Sequence, residues 1–92
     1  MSQEVRHLVI TGYVQGIGYR YGMAVAAQRL GVTGWVRNRH DGSVEAMVCG
    51  DGEQVAAMIA WARQGPANAE VAHVAVELGS GEFSGFEQRA TV

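Results

Sequence analysis

The chain has 92 residues, 48% hydrophobic and 17% charged, with 7 Lys and Arg against 9 Asp and Glu for a formal charge of −2. That length holds one hydrophobic core, and that composition excludes a disordered chain. The small negative charge excludes a general attraction to nucleic acid or an anionic membrane, so any anion site has to be built locally. No apolar run approaches the roughly 18 residues needed to cross a bilayer. The first residues, Met1 to His7, lack the basic and apolar blocks of a secretory leader. The lone Cys49 cannot form an internal disulfide, which fits a reducing compartment. The expectation is one domain over residues 1–92, cytoplasmic, monomeric by default, with no nucleic-acid or membrane partner.

In chain order, Leu8, Ile10 and Val14 alternate with His7, Val9, Thr11 and Tyr13 in a first strand. Residues 12–20 follow as Gly-Tyr-Val-Gln-Gly-Ile-Gly-Tyr-Arg. Met23, Ala26, Ala27 and Leu30 then fall at helical spacing, predicting a helix over Tyr19 to Leu30 that stops at Gly31. Gly22 weakens that helix slightly but permits close packing near its start. Val32 to Arg37 reads as a second strand ending at Asn38, and Asp41-Gly42 marks a hairpin turn. Val44, Ala46 and Val48 form one face of a third strand, opposite Glu45, Met47 and Cys49. Asp51 and Gln54 match a capping box ahead of a second helix whose apolar stripe is Val55, Met58, Ile59 and Ala62. Gly65 and Pro66 stop it. Val71 to Leu78 is a fourth strand, with Val74, Val76 and Leu78 expected to face inward. Phe86 to Val92 alternates as a possible edge strand. The sum is a ferredoxin-like α/β sandwich, β-α-β-β-α-β, with an antiparallel-dominated sheet, two helices on one face and a possible fifth strand.

Two segments carry chemistry. The glycines of residues 12–20 let backbone N–H groups turn around an anion, and the following helix N-terminus adds unpaired N–H groups and a partial positive charge. Arg20, in the first helical turn, offers a bidentate fork suited to phosphate. An ordinary glycine-containing turn with a solvated arginine is the plain structural alternative. What shifts the balance is Asn38. Strands one and two of a β-α-β unit run the same way, so Asn38 reaches the sheet end that carries the loop. With the third strand between them the two lie roughly 10 Å apart, a gap that inward-pointing side chains can close around one phosphate.

These residues resemble the acylphosphatase family. Gly12 to Arg20 looks like its first motif, and Gly34-Trp-Val-Arg-Asn38 followed by Asp41-Gly-Ser-Val-Glu45 looks like its second. The resemblance spans essentially the whole chain. Ile17 stands where valine is common, and Tyr19 where phenylalanine is. Ala90-Thr91-Val92 replaces the usual terminal tyrosine. The resemblance implies a metal-free, cofactor-free hydrolase that splits a small-molecule acyl phosphate into carboxylate and inorganic phosphate. By that resemblance Arg20 binds the phosphoryl group and Asn38 positions the attacking water. The backbone of Gln15, Gly16, Ile17, Gly18 and Tyr19 would cradle the phosphate oxygens.

The remaining candidates read as structural. His7, His40 and His73 lack metal-ligand spacing, and Cys49 lies outside the anion loop, as a packing residue. Arg37 and Arg39 read as solvated flanks of Asn38, one of them a candidate to widen a positive rim. Two other functions are open: a non-catalytic phosphate-binding or regulatory domain on this scaffold, and an RNA-binding ferredoxin-like module. The chain's length and the presence of both Arg20 and Asn38 point away from the first. The second needs several aromatics on the central strands, where only Tyr13 stands.

Overall fold

The computed structural model describes residues 3–92; the expectations that touch Met1 and Ser2 lie outside them. The strands are β1 (Glu4–Tyr13), β2 (Thr33–Asn38), β3 (Val44–Gly50), β4 (Glu70–Leu78) and β5 (Phe86–Arg89), with helices α1 (Tyr19–Leu30) and α2 (Gly52–Gln64). The sheet order is β4-β1-β3-β2-β5. β3 therefore lies between β1 and β2, as the ferredoxin-like reading requires. β1–β3, β1–β4 and β2–β3 pair antiparallel, and β5 adds to β2 in parallel.

Local chemistry sets the element ends. Gly31, at φ 77°, closes α1; its N–H and that of Val32 return to the carbonyls of the last turn. The Asp51 carboxylate accepts from Gln54 N at 2.8 Å, while Asp51 N donates to Gln54 Oε1 at 2.9 Å, which completes the capping box of α2. At the β2–β3 turn the Asp41 carboxylate accepts from both Ser43 N and Ser43 Oγ. Those two bonds hold its pKa below the usual carboxylate range, against the opposing effect of desolvation.

The core lies between the helices and one sheet face. Leu8, Ile10, Val36, Val44, Ala46 and Val48 meet Met23, Ala26 and Ala27 of α1 and Val55, Met58 and Ala62 of α2. α1 covers the β2–β5 side and α2 the β1–β3–β4 side. The helices meet where Gly22 leaves room for the Trp61 ring; a Cβ there would stand 3.1 Å from it.

Three expectations change. In β4 only Val74 is buried; Val76 is 37% exposed and Leu78 82%. Their alternation is as read, but β4 is an edge strand and the helical cover stops short of its last residues. The last strand ends at Arg89, not Val92, although Val92 re-pairs with the backbone of Asn38 and His40. Arg37 is not a solvated rim residue. Its Nε donates to Glu45 at 2.7 Å, and its guanidinium lies 4.7 Å from the Trp35 ring, which Arg89 also covers at 4.8 Å. The two guanidiniums over its ring help bury Trp35 on the sheet face that no helix covers, and Glu45 anchors one of them.

Candidate active site

The loop after β1 starts from a bulge. The β1–β4 register shifts between Thr11 and Gly12, and Gly12 takes φ 121° with the β4 backbone so close that a Cβ would stand 2.2 Å from the Glu70 carbonyl oxygen. Pairing resumes beyond the bulge as Gly12 opposite Val71 and Tyr13 opposite Glu70, and the chain leaves the sheet after Tyr13. Gly16 and Gly18 differ: a Cβ on either meets open space, and the need for glycine comes from their left-handed φ values of 76° and 83°.

Gly18 is the N-cap of α1 and brings no side chain to the helix end. Gly22 N–H makes the return bond to Gly18 O, and the N–H groups before it lie ahead of the helical ladder. The first turn also holds no acidic residue, so the positive end of the helix dipole is left uncompensated by its own helix. The side chain of Tyr19, the first helical residue, turns the other way. It is buried against Trp61 in an edge-to-face pair with centroids 5.3 Å apart, and its hydroxyl donates to Ala62 O at 2.7 Å. Burial pushes the phenol pKa well up, so the hydroxyl stays a donor.

Arg20 is half-buried. Its Nη1 makes a long 3.4 Å contact to Arg89 O, and among the described residues it forms no salt bridge. Its charge is therefore held in place but not neutralised. Asn38 closes β2, in register with Val44 of β3, and its carbonyl accepts from Val92 N at 3.1 Å. Its backbone is thus fixed from both sides.

Arg20, Asn38, Gly16, Gly18 and Tyr19 line one small open cavity of about 140 Å³, floored by the buried Val14. Topology and loop conformation bring the two sequence segments together. Gln15 and Ile17 belong to the loop but do not line this cavity. Ile17 is half-buried outside it. The Gln15 amide turns to the β2–β3 hairpin, where Nε2 donates to both Arg39 O and Ser43 O at 2.7 Å. Sequence reasoning gave this side chain no role, because its partners lie 24 and 28 residues away and are carbonyls, which no side-chain identity betrays. Among the described residues no three His, Cys, Asp or Glu side chains gather as metal ligands. Tyr21 and Gln88 complete the lining, so the cavity offers one guanidinium, two neutral amides and a helix N-terminus, a set that can bind a dianion and orient water but supplies no strong acid or base.

The acylphosphatase family model matches residues 6–88. An acylphosphatase of Thiobacillus denitrificans is 56% identical over 84 residues, covering 91% of this chain and 94% of that protein. One from Cupriavidus necator is 51% identical over the full length of both chains. The solved acylphosphatase structure from Coxiella burnetii superimposes with a TM-score of 0.91 at 32% identity, covering 95% of this chain and 93% of that one. Sequence motifs, strand order and full-length similarity agree, and the chain belongs to the acylphosphatase family.

Proposed function

We propose that the protein hydrolyses acyl phosphates by water attack on phosphorus, with Arg20 and the Gln15–Tyr19 backbone holding the phosphoryl group and Asn38 holding the water. The observation that carries these roles is that Arg20, Asn38 and the loop glycines share one cavity. The phosphoryl oxygens gather on the guanidinium and on the N–H groups at the start of α1, which stabilise the charge spread over them in a loose transition state. Asn38 has both a carbonyl oxygen and an NH₂, so it can accept from a water and fix its lone pair toward phosphorus. The new P–O bond forms from that water as the P–O bond to the acyl oxygen breaks. The leaving carboxylate takes that bond's electron pair, and the water proton ends on a phosphate oxygen. A carboxylate of low pKa leaves unaided, so the absence of an acid in the donor set is no obstacle.

The same reading takes the chain as one domain working as a cytoplasmic monomer with no cofactor or metal, supported by its size and single cysteine. No helix of the described chain is long and apolar enough to cross a membrane. The test is release of phosphate from benzoyl phosphate before and after exhaustive chelation, with phosphate monoesters as controls. Hydrolysis of the anhydride alone, unchanged by chelation, is expected; no hydrolysis, or loss on chelation, overturns the reading.

A further inference from the structure

Beside the phosphate-sized cavity runs a larger groove of about 510 Å³, between α1 and β5. Tyr21 and Gln88 line both, so the groove and the cavity adjoin across these two side chains. It follows α1 from Tyr21 to Gly31, about 15 Å at helical rise, and β5 back from Gln88 to Gly85. Its volume lies within the roughly 300–1,000 Å³ typical of small-molecule sites, whereas the cavity beside it does not reach that range. The apolar contribution is conspicuous. Tyr21 is 67% and Val25 43% exposed, one helical turn apart on α1, and Phe86 faces them from β5. Gln28 and Gln88 supply neutral polar groups, and no Asp, Glu, Lys or Arg lines the groove among the described residues.

We propose that this groove seats the acyl group of the substrate, and that the preferred substrates are acyl phosphates whose acyl part is extended, uncharged and largely apolar. The inference rests on the cavity being the phosphoryl site. With the phosphate there, the groove that adjoins the cavity at Tyr21 and Gln88 is the neighbouring recess with room for an acyl chain, along α1. An acyl group carrying a second carboxylate, phosphate or ammonium finds no counter-charge along that path and has to be desolvated without a partner. A longer neutral chain gains contact at each methylene.

The experiment compares kcat/KM for acetyl, butanoyl, hexanoyl and octanoyl phosphate in the wild-type protein and in Val25→Asp. Val25 lies outside the phosphate cavity and is exposed, and Gln28→Glu provides a second variant that places a charge in the same groove. Folding of each is checked by circular dichroism. A fully buried methylene is worth about fourfold, so an open groove predicts a rise of about two- to fourfold per added methylene until the groove is filled. Both variants should flatten that rise while leaving acetyl phosphate turnover and inhibition by inorganic phosphate within about twofold. A flat but measurable wild-type series overturns the groove assignment alone, as does a rise that survives in both variants. A flat series accompanied by a self-association that Val25→Asp abolishes would instead give the groove to a second copy of the chain. No turnover of any member would remove the acyl phosphate reading and the groove with it.

Discussion

Gln15→Ala tests how the two halves of the site are held together. The Gln15 amide has two N–H groups, and each meets one carbonyl of the hairpin that follows Asn38, at 2.7 Å. Alanine removes both bonds, while each carbonyl keeps one backbone partner: Gly42 N donates to Arg39 O and Arg39 N to Ser43 O. At about 0.5–1.5 kcal/mol net for each bond, and with water able to replace part of them, the loss of stability should be about 1–2 kcal/mol. In a domain this small that lowers the thermal midpoint by roughly 4–16 °C. The catalytic effect has a different origin. Once untied, the phosphate loop and the Asn38 strand end drift relative to one another, and a shift of about 1 Å between reacting groups costs up to about 10²-fold. The expected pattern is kcat down about 10- to 100-fold with inhibition by inorganic phosphate little changed, since Arg20 and the helix N-terminus remain. Urea unfolding measures the first quantity, and steady-state hydrolysis of benzoyl phosphate with phosphate as inhibitor measures the second. Wild-type stability together with wild-type kcat would refute the idea that this side chain ties loop to hairpin.

Arg20→Ala removes the only guanidinium in the cavity and should weaken both substrate and inorganic phosphate; unchanged phosphate inhibition would sink that role. Tyr19→Phe keeps the ring packed on Trp61 but deletes the hydroxyl bond to Ala62 O, so it should cost about 1 kcal/mol of stability and leave kcat near wild type. A large fall in kcat would mean the phenol reaches the chemistry. Glu45 is held below the usual carboxylate range: desolvation opposes this, but hydrogen bonds from His7, at 2.6 Å, and Arg37 outweigh it. Its contribution is therefore complete above the unfolded value of about 4.3 and is lost as the pH falls through the lower folded value. Glu45→Gln should be less stable than wild type at neutral pH, with the gap in urea midpoint closing below about pH 4. A gap that is constant with pH would contradict the assignment.

Much of this molecule is written locally and can be read so. The Asp51–Gln54 box, Gly31 at the end of α1 and the Asp41-Gly42 turn are short-range chemistry, and the structure places each where the residues predict it. Asn38 and the loop were brought to one sheet end by the β-α-β connection, which follows from element order alone. What the residues did not reveal depends on tertiary surroundings. Leu78 alternates correctly yet is exposed, because alternation gives the face of a strand and not how far a helix covers it. Arg37 looks like a free cation until β3 supplies Glu45 beside it and Trp35 lies under it. Gly12 belongs to the same motif as Gly16 and Gly18, but its requirement is the nearby β4 backbone, a contact 58 residues away at Glu70. The groove along α1 was likewise invisible: Tyr21 and Val25 show a helix position, and only the addition of β5 turns that face into a channel.

The central claim is a division of labour, with the loop and Arg20 holding phosphate and Asn38 holding water. The measurement that tests it most directly is Asn38→Ala, read as kcat on benzoyl phosphate and as inhibition by inorganic phosphate in the same preparation. The account predicts a fall in kcat of about 10²–10³-fold, the scale of one catalytic hydrogen-bonding group, with phosphate inhibition nearly unchanged. Turnover at the wild-type rate would contradict it.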